Sequence, residues 1–202
     1  MNIHILEVPL DFGASRHGSD MGPSAIRLAG IRERLESLGH KTQRHELSVR
    51  TTPQEYEDAG NPKAKYLSPI KEACTALAAK VEETANSGDF PLALGGDHSI
   101  ALGTLAGMGA FAAKQNKRLG VLYVDAHGDF NTPETSPTGN IHGECLAASC
   151  GYGLKELLEK LPTDSFALAL ETDEELLKLS KNKIDKNILE DSKFLYTGTD
   201  SI

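Results

Sequence analysis

The segment Arg118-Leu119-Gly120-Val121-Leu122-Tyr123-Val124-Asp125-Ala126-His127-Gly128-Asp129 joins an apolar run to a group of carboxylate and imidazole side chains. The apolar part predicts a strand over residues 121–124, and the polar residues follow at its end. A second apolar run, 90–94, ends in the same way, in Gly95-Gly96-Asp97-His98-Ser99. In open α/β sheets, ligands bind outside the carboxyl ends of the strands. The sequence therefore predicts one polar site built at two strand ends.

Strand-like and helix-like stretches alternate along the chain. We predict strands over 3–8, 90–94 (buried) and 121–124, and a short edge strand over 40–49. We predict helices over 23–38, 68–86, 99–115 and 154–161, and a surface loop over 50–66. This β-α-β order predicts an α/β fold with a mostly parallel sheet, and we treat residues 1–202 as a single domain.

Hydrophobic content, net charge and cysteine count limit the kinds of protein and partner that fit this sequence. The chain has 202 residues, of which 39% are hydrophobic, as in soluble globular proteins. A net charge of −8 argues against nucleic acid and anionic membranes as partners. The three cysteines, Cys74, Cys145 and Cys150, follow no disulfide or metal spacing, so we expect reduced thiols and a cytoplasmic location. No signal peptide or membrane span is evident.

The polar residues at the two strand ends predict a metal site with His98, Asp125, His127 and Asp129 as ligands. Carboxylate and imidazole ligands together suit a borderline divalent cation such as Mn²⁺, Fe²⁺ or Zn²⁺. If the chain stays extended beyond the strand, residues two apart face the same way, so 125, 127 and 129 would share one side. In isolation the pattern is equally compatible with a solvated loop, but the second strand end favours metal-assisted hydrolysis.

The 130–143 loop that follows is rich in short hydrogen-bonding side chains. Long loops without secondary structure are uncommon in compact domains and are often functional. Asn131, Ser136 and Thr138 could hold a small polar substrate, and His142 could transfer a proton because imidazole titrates near neutral pH. Taken singly, each is more typical of a turn. Asp97, beside His98, could orient a metal ligand.

Three motifs together, 95–99, 125–129 and Ser136-Pro137-Thr138-Gly139-Asn140-Ile141-His142-Gly143, resemble the arginase (ureohydrolase) family, bacterial arginases in particular. Asp11-Phe12-Gly13 and residues 20–27 also resemble that family, so the match covers about residues 1–153. The sequence of the 130–143 loop favours arginase over agmatinase. The resemblance implies a three-layer α/β fold with a mostly parallel sheet, incomplete at the C-terminus.

The resemblance also implies an activity, namely Mn²⁺-dependent hydrolysis of the L-arginine guanidinium to ornithine and urea by a metal-bridging hydroxide. It implies that His98, Asp125 and Asp129 bind one Mn²⁺, and that Asp125 and His127 bind a second. The implied substrate contacts, to the α-carboxylate, come from Asn131, Ser136 and Thr138 with Asn140 nearby, and His142 is the implied acid/base residue. A homo-oligomer, trimer or hexamer, is expected from the same resemblance.

The chain also departs from the family. Family members are longer, and their second half supplies an Asp-x-Asp pair and a glutamate that are absent here, so we expect a partial domain. Glu171-Thr172-Asp173 is a candidate replacement, but residues 172–175 form a capping-box pattern that favours a helix start. Glu144 and Cys145 stand where bacterial arginases usually have Met and Pro. Two alternatives stay open: a truncated or non-catalytic relative that binds metal or a partner, and another amidinohydrolase such as an agmatinase.

Overall fold

A parallel three-stranded sheet forms the centre of the structure. The structure is a computed structural model, and it describes residues 1–14, 16–49 and 58–154. The strands are β1 (Asn2–Val8), β2 (Lys41–Glu46) and β3 (Phe90–Gly95), in the order β2-β1-β3. Ile5 of β1 lies opposite Arg44 of β2 and Leu92 of β3. The central strand is the most apolar and is buried from Ile5 to Val8. The predicted parallel sheet and these three strands are confirmed.

β3 is an edge strand of the described sheet, and this changes its burial. The sequence predicted a buried strand, whereas Phe90 is exposed and the rest of β3 is half-buried. The reason is that the outer side of β3 has no neighbouring strand within the described ranges.

Five α-helices accompany the sheet in the described part of the chain: α1 (Gly22–Leu28), α2 (Ile31–Ser37), α3 (Leu67–Asn86), α4 (Ile100–Lys114) and α5 (Cys145–Ser149). Short 3₁₀ helices cover Ser19–Met21 and Ile141–Glu144. The predictions for α3 and α4 are confirmed to within a residue or two. The single helix predicted over 23–38 is wrong, because Gly30 adopts a left-handed conformation with φ of 85° and divides it into α1 and α2.

The two long helices, α3 and α4, pack closely against each other. α3 buries one stripe of side chains: Ile70, Ala73, Cys74, Leu77, Ala78 and Val81. α4 meets this stripe with Gly103 and Gly107. A Cβ at Gly107 would lie 2.5 Å from the Ala78 carbonyl oxygen, so only glycine permits this approach of the helices. The close packing holds the N-terminal end of α4, and with it the end of β3, in a fixed place.

The strand predicted over 121–124 is not formed in the described structure. Leu122 is 72% exposed and Val124 is 87% exposed, and a cavity of about 480 Å³ separates the 119–122 segment from the edge of β3. A strand needs ladder hydrogen bonds to a neighbour, and no such bond joins this segment to β3 among the described residues. The segment is apolar, as a strand would be, but among the described residues it has no neighbouring strand to pair with.

Several predictions fall on residues outside the described ranges. These are the helix over 154–161 apart from its first residue, the segment 171–175, and the 50–57 part of the surface loop. Within the ranges that are described, no helix has the length and apolar character needed to cross a membrane.

Candidate active site

The end of β3 and the 125–129 segment bring three of the four predicted metal ligands together. Nδ1 of His98 lies 2.9 Å from Oδ2 of Asp125 and 2.8 Å from Oδ2 of Asp129. One potential ligand atom from each residue lies within 4.8 Å of the others. The predicted meeting of two chain segments is therefore seen, although only β3 arrives there as a strand.

The backbone of 125–129 reaches this arrangement by bending. The Asp125 carboxylate accepts a 2.9 Å hydrogen bond from the His127 backbone N–H, which turns the chain, and Asp129 adopts a left-handed conformation with φ of 44°. The condition that the chain stays extended beyond the strand is therefore not met. The bend directs Asp125 and Asp129 to His98, but the His127 side chain is 83% exposed and its Nδ1 is 3.4 Å from Asp125 Oδ1. Metal binding by His127 stays a prediction.

The electrostatics of the cluster favour positive charge. The pKa of His98 is raised, chiefly by its hydrogen bond to Asp129; burial opposes this, and the charges of Asp129, Asp125 and Asp97 add to it. Carboxylates that stabilise an imidazolium at this point would stabilise a metal cation there for the same reason. One imidazole nitrogen with two carboxylates is also the donor set of a borderline divalent ion. The residues present therefore fit one such ion.

Tyr123 is a member of the cluster that the sequence analysis missed. Its buried hydroxyl donates a 2.8 Å hydrogen bond to Asp129 Oδ2 and lies 3.3 Å from His98 Nδ1, and its ring stacks on the imidazole with centroids 5.1 Å apart. Burial is the largest of the effects that raise the pKa of Tyr123, so the phenol stays a neutral donor. The sequence did contain a signal for this role: Tyr123 precedes Asp125 by two residues, and residues two apart in an extended segment point to the same side of the chain.

Asp97 acts on the backbone around the site. Its Oδ2 accepts a 2.7 Å hydrogen bond from the Gly13 N–H, and its Oδ1 accepts from both the backbone N–H and the hydroxyl of Ser99. This buried carboxylate thus ties the segment after β1 to the start of α4. In the part of the chain that the structure describes, it makes no hydrogen bond to the His98 ring, so its influence on that ring is through charge.

A cavity of about 530 Å³ opens beside the cluster, and all nine predicted site residues line it: His98, Asp125, His127, Asp129, Asn131, Ser136, Thr138, Asn140 and His142. The 130–143 loop forms one wall of this cavity. Its last residues begin the 3₁₀ helix Ile141–Glu144, which the sequence analysis did not predict. The structure thus places the predicted ligands and the predicted substrate contacts around one space.

The polar side chains of the 130–143 loop also shape the loop itself. Ser136 Oγ accepts a 3.0 Å hydrogen bond from the Gly139 N–H, and Thr138 Oγ1 accepts a 3.2 Å hydrogen bond from the Asn140 N–H. The Asn140 side-chain amide donates to the carbonyl of Ala14 at 3.1 Å, which docks the loop on the segment after β1. These residues can therefore both stabilise turns and bind a ligand, because a side chain that accepts a hydrogen bond from the backbone can still line the cavity.

Glu144 is a second residue whose importance the sequence alone did not reveal. It is 1% exposed, and within the described residues neither of its buried carboxylate oxygens has a hydrogen-bond partner. Burial raises the pKa of Glu144 to about 7; the Ser136 hydroxyl lowers it and the charge of Glu134 raises it further. A carboxyl group that is only partly ionised at neutral pH thus lies directly behind the cavity wall.

Comparison with known proteins agrees with the motifs and the fold. The model of the Arginase family matches residues 1–200 of the chain. An arginase of Brevibacillus brevis is 52% identical over 157 residues, which are 77% of this chain and 50% of that protein. An arginase of Bacillus caldovelox is 50% identical over 151 residues, 75% of this chain and 49% of that protein. The chain thus spans about half the length of these curated relatives.

Solved structures show the same fold. The Bacillus cereus arginase structure matches with a TM-score of 0.74 and 42% identity, covering 90% of this chain and 62% of that one. The structure of Entamoeba histolytica arginase in complex with L-ornithine matches with a TM-score of 0.75 and 30% identity, covering 90% and 63%. The predicted arginase-like α/β fold is confirmed. Motifs, fold and sequence similarity lead to the same conclusion: the chain belongs to the arginase family.

Proposed function

We propose that this protein hydrolyses the guanidinium group of L-arginine to ornithine and urea in the presence of Mn²⁺. The observation that carries the proposal is the convergence of His98, Asp125 and Asp129 beside the cavity lined by the 130–143 loop. The relatives named above as arginases support it. The neighbour solved with L-ornithine supports an amino-acid ligand at the corresponding fold.

In this proposal His98, Asp125 and Asp129 would hold one Mn²⁺, and Asp125 with His127 would contribute to a second. When bound, such a pair of cations supplies water of lowered pKa, so that a nucleophile is available near neutral pH. Two divalent cations carry four positive charges, whereas Asp125 and Asp129 carry two negative ones. Because an unbalanced buried charge is costly, the second cation needs further carboxylates than these two.

The 130–143 loop binds the other end of the substrate. Asn131, Ser136 and Thr138 can donate hydrogen bonds to the α-carboxylate, and such bonds to a charged acceptor are stronger than neutral ones. Asn140 keeps the loop docked through its hydrogen bond to Ala14. His142 then supplies the proton that the departing nitrogen of ornithine needs when its bond to the guanidinium carbon breaks.

Urea release from L-arginine by the 202-residue chain, measured with and without Mn²⁺, tests the proposal. We expect release that requires Mn²⁺ and that is lost in Asp129→Asn, with the variant still folded by circular dichroism. Absence of urea from wild-type protein that is folded and binds Mn²⁺ would overturn it.

One observation favours a second candidate, a non-catalytic relative that binds metal or a partner. The described residues bring only two carboxylates and one imidazole to the centre. Titration that finds two tightly bound Mn²⁺ per chain would count against this candidate. The cytoplasmic location and the trimeric or hexameric assembly stay predictions, which fractionation and light scattering would test.

A further inference from the structure

A pair of histidines outside the candidate active site joins β1 to β2. Nδ1 of His4 lies 3.1 Å from Nε2 of His45, and the two ring centroids are 4.9 Å apart. His4 lies opposite Pro91, near the start of β3, whereas His98 follows the end of that strand. The pair is therefore at the amino end of the sheet and is separate from the ligands of the proposed active site.

Asp89 determines which nitrogen of His4 faces His45 without a proton. Its Oδ2 lies 3.1 Å from Nε2 of His4, and its Oδ1 accepts a 2.9 Å hydrogen bond from the side-chain amide of Asn2. A carboxylate only accepts, so a neutral His4 carries its proton on Nε2 and has its lone pair on Nδ1. Histidines that bind metals commonly donate their other N–H to a carboxylate in this way. His4 thus has the hydrogen bonding of a metal ligand.

Thr84 brings a third polar atom to the same place. It lies in the last turn of α3, is 1% exposed, and has its Oγ1 3.4 Å from Nδ1 of His4. The backbone N–H of Asp89 donates a 3.2 Å hydrogen bond to the Thr84 carbonyl, which holds the hydroxyl and the carboxylate in a fixed relation. Donor atoms from β1, β2 and α3 therefore converge on one point.

The spacing of the two nitrogens suits a shared cation. Two nitrogens bound at 2.0–2.1 Å to a tetrahedral ion lie about 3.3 Å apart, close to the 3.1 Å between His4 and His45. In the metal-free protein the His45 Nε2–H donates to the lone pair of His4. When an ion binds, the His45 proton resides on Nδ1 instead, and both facing nitrogens are free to bind. The Thr84 hydroxyl and a water molecule would complete four ligands.

The charges and the donor types select among cations. Lys80 pairs with Glu83 at 2.7 Å, while Asp89 adds a negative charge beside His4. The pKa of His45 is lowered, first by burial and then by the charge of Lys80, so its ring is mostly uncharged at neutral pH. Imidazole nitrogens suit Zn²⁺, Cu²⁺ and Ni²⁺, whereas Mn²⁺ is suited by oxygen ligands. The donor set therefore favours Zn²⁺ over Mn²⁺.

We propose that His4 and His45, with Thr84, form a second divalent-cation site that takes Zn²⁺ in preference to Mn²⁺, and that Asp89 is its positioning residue. A bound ion would join β1, β2 and the end of α3, and would stabilise the fold because the unfolded chain does not hold these groups together. The site does not rest on the proposed function, since none of its residues lines the cavity of the active site.

Calorimetric titration of the full chain with Zn²⁺, and separately with Mn²⁺, tests the proposal. The variants are His45→Gln, which removes a ligand, and Asp89→Asn, which removes the charge behind His4. His40→Gln is the matched control, because His40 lies directly before β2 and its Nδ1 is 3.5 Å from the N-terminal amine, another pair of nitrogen donors. Binding of Zn²⁺ by the His98 cluster cancels in the comparison, since every variant retains that cluster.

We expect wild type and His40→Gln to bind one more Zn²⁺ per chain than His45→Gln does. Asp89→Asn should bind this additional ion about tenfold more weakly, the usual effect of losing a carboxylate that orients a ligating histidine. The number of Mn²⁺ bound should be equal in all four proteins. Equal Zn²⁺ stoichiometry in wild type and folded His45→Gln, or loss of the additional ion in His40→Gln alone, would overturn the proposal.

Nuclear magnetic resonance of the histidine ring nitrogens in wild-type protein gives a test that needs no variant to fold. Saturating Zn²⁺ should shift the resonances of His4 Nδ1 and His45 Nε2, and the same addition should leave the His40 ring nitrogens unchanged. Unchanged His4 and His45 resonances at saturating Zn²⁺ would show that the two rings form a hydrogen bond only, and would overturn the proposal.

Discussion

The hydroxyl of Tyr123 donates a 2.8 Å hydrogen bond to Oδ2 of Asp129, the same oxygen that lies 2.8 Å from Nδ1 of His98. This bond connects the apolar 118–124 run to a residue held in a left-handed backbone conformation. It fixes the direction of the Asp129 carboxylate, which the bent backbone alone leaves free to rotate. Tyr123 therefore orients Asp129, a proposed metal ligand, by this hydrogen bond.

Replacement of Tyr123 by Phe should weaken Mn²⁺ binding about tenfold, since loss of a hydrogen bond that orients a metal ligand typically has effects of this order. Titration followed by the electron paramagnetic resonance signal of free Mn²⁺ would measure it. Tyr152→Phe, in a ring that packs on Phe130 with centroids 5.8 Å apart, is the control and should bind like wild type. Unchanged affinity in Tyr123→Phe would show that the bond does not position Asp129.

Replacement of Gly13 by Ala should destabilise the fold by about 1–3 kcal/mol, because the added Cβ overpacks a filled site. That Cβ would lie 2.6 Å from Asp97 Oδ1 and 2.6 Å from Ser99 Oγ. Gly120→Ala is the matched control, since a Cβ there meets nothing within 4 Å. Urea denaturation of both variants would test this, and equal midpoints would contradict the prediction.

Replacement of Glu7 by Gln should cost about 1.5–3 kcal/mol at pH 7, the usual range for a hydrogen bond to a charged group. Glu7 is buried and pairs with Arg27 and with Arg44, the latter at 2.7 Å. Burial raises its pKa, but the two arginines more than offset this, and the net pKa is lowered. The contribution is therefore present above pH 4.5 and is lost as the pH falls through the lowered pKa.

The same arginine provides the control for this pair. Glu46 lies 2.6 Å from Arg44 but is 57% exposed, so Glu46→Gln should change stability by less than about 0.5 kcal/mol. Chemical denaturation at pH 7 and at pH 3 would measure both variants. A Glu7→Gln effect as large at pH 3 as at pH 7 would show that packing, and not charge, is responsible.

Ionisation of Glu144 should make the stability of the wild-type protein fall as the pH rises from 4.5 to 7. Burial raises its pKa from 4.5 to about 7, so its contribution is complete below pH 4.5 and is lost as the pH passes through 7. At about 1.4 kcal/mol per pH unit, the change is about 3 kcal/mol. Glu144→Gln cannot ionise, so in denaturation experiments across this range its stability should increasingly exceed that of wild type as the pH rises. A constant difference would mean that Glu144 ionises normally.

Replacement of Asn131 by Ala should impair binding of L-arginine about tenfold and binding of agmatine less than about threefold, since agmatine lacks the carboxylate that the amide would contact. Asn131 lines the cavity, and its Oδ1 accepts a hydrogen bond from Thr135 at 3.3 Å. Asn86→Ala, at an exposed position that ends α3, is the control. Equal losses for both ligands would favour an amidinohydrolase that does not select the carboxylate.

Much of the architecture could be predicted from local patterns. The segments that form β1, α3 and α4 have a clear periodicity of apolar residues, which specifies the type and length of each element. Their predicted bounds therefore agree closely with the structure. The predicted site residues also lie around one cavity. This could be predicted because segments that follow the strands of a parallel sheet meet at the same edge of the sheet. The strand over 121–124 failed because strand formation depends on a partner, which an apolar run does not specify.

The sequence by itself determined the fold class, the family motifs and the chemical types of the ligands, because these depend on residue identity and spacing along the chain. Only the tertiary structure decided which of them converge. The bend at 126–127 and the left-handed Asp129 direct two carboxylates to His98 and leave His127 exposed. The tertiary structure likewise buries Glu144 and places Tyr123 on Asp129. Burial and hydrogen bonding between segments distant in sequence set these features, so no local pattern could carry them.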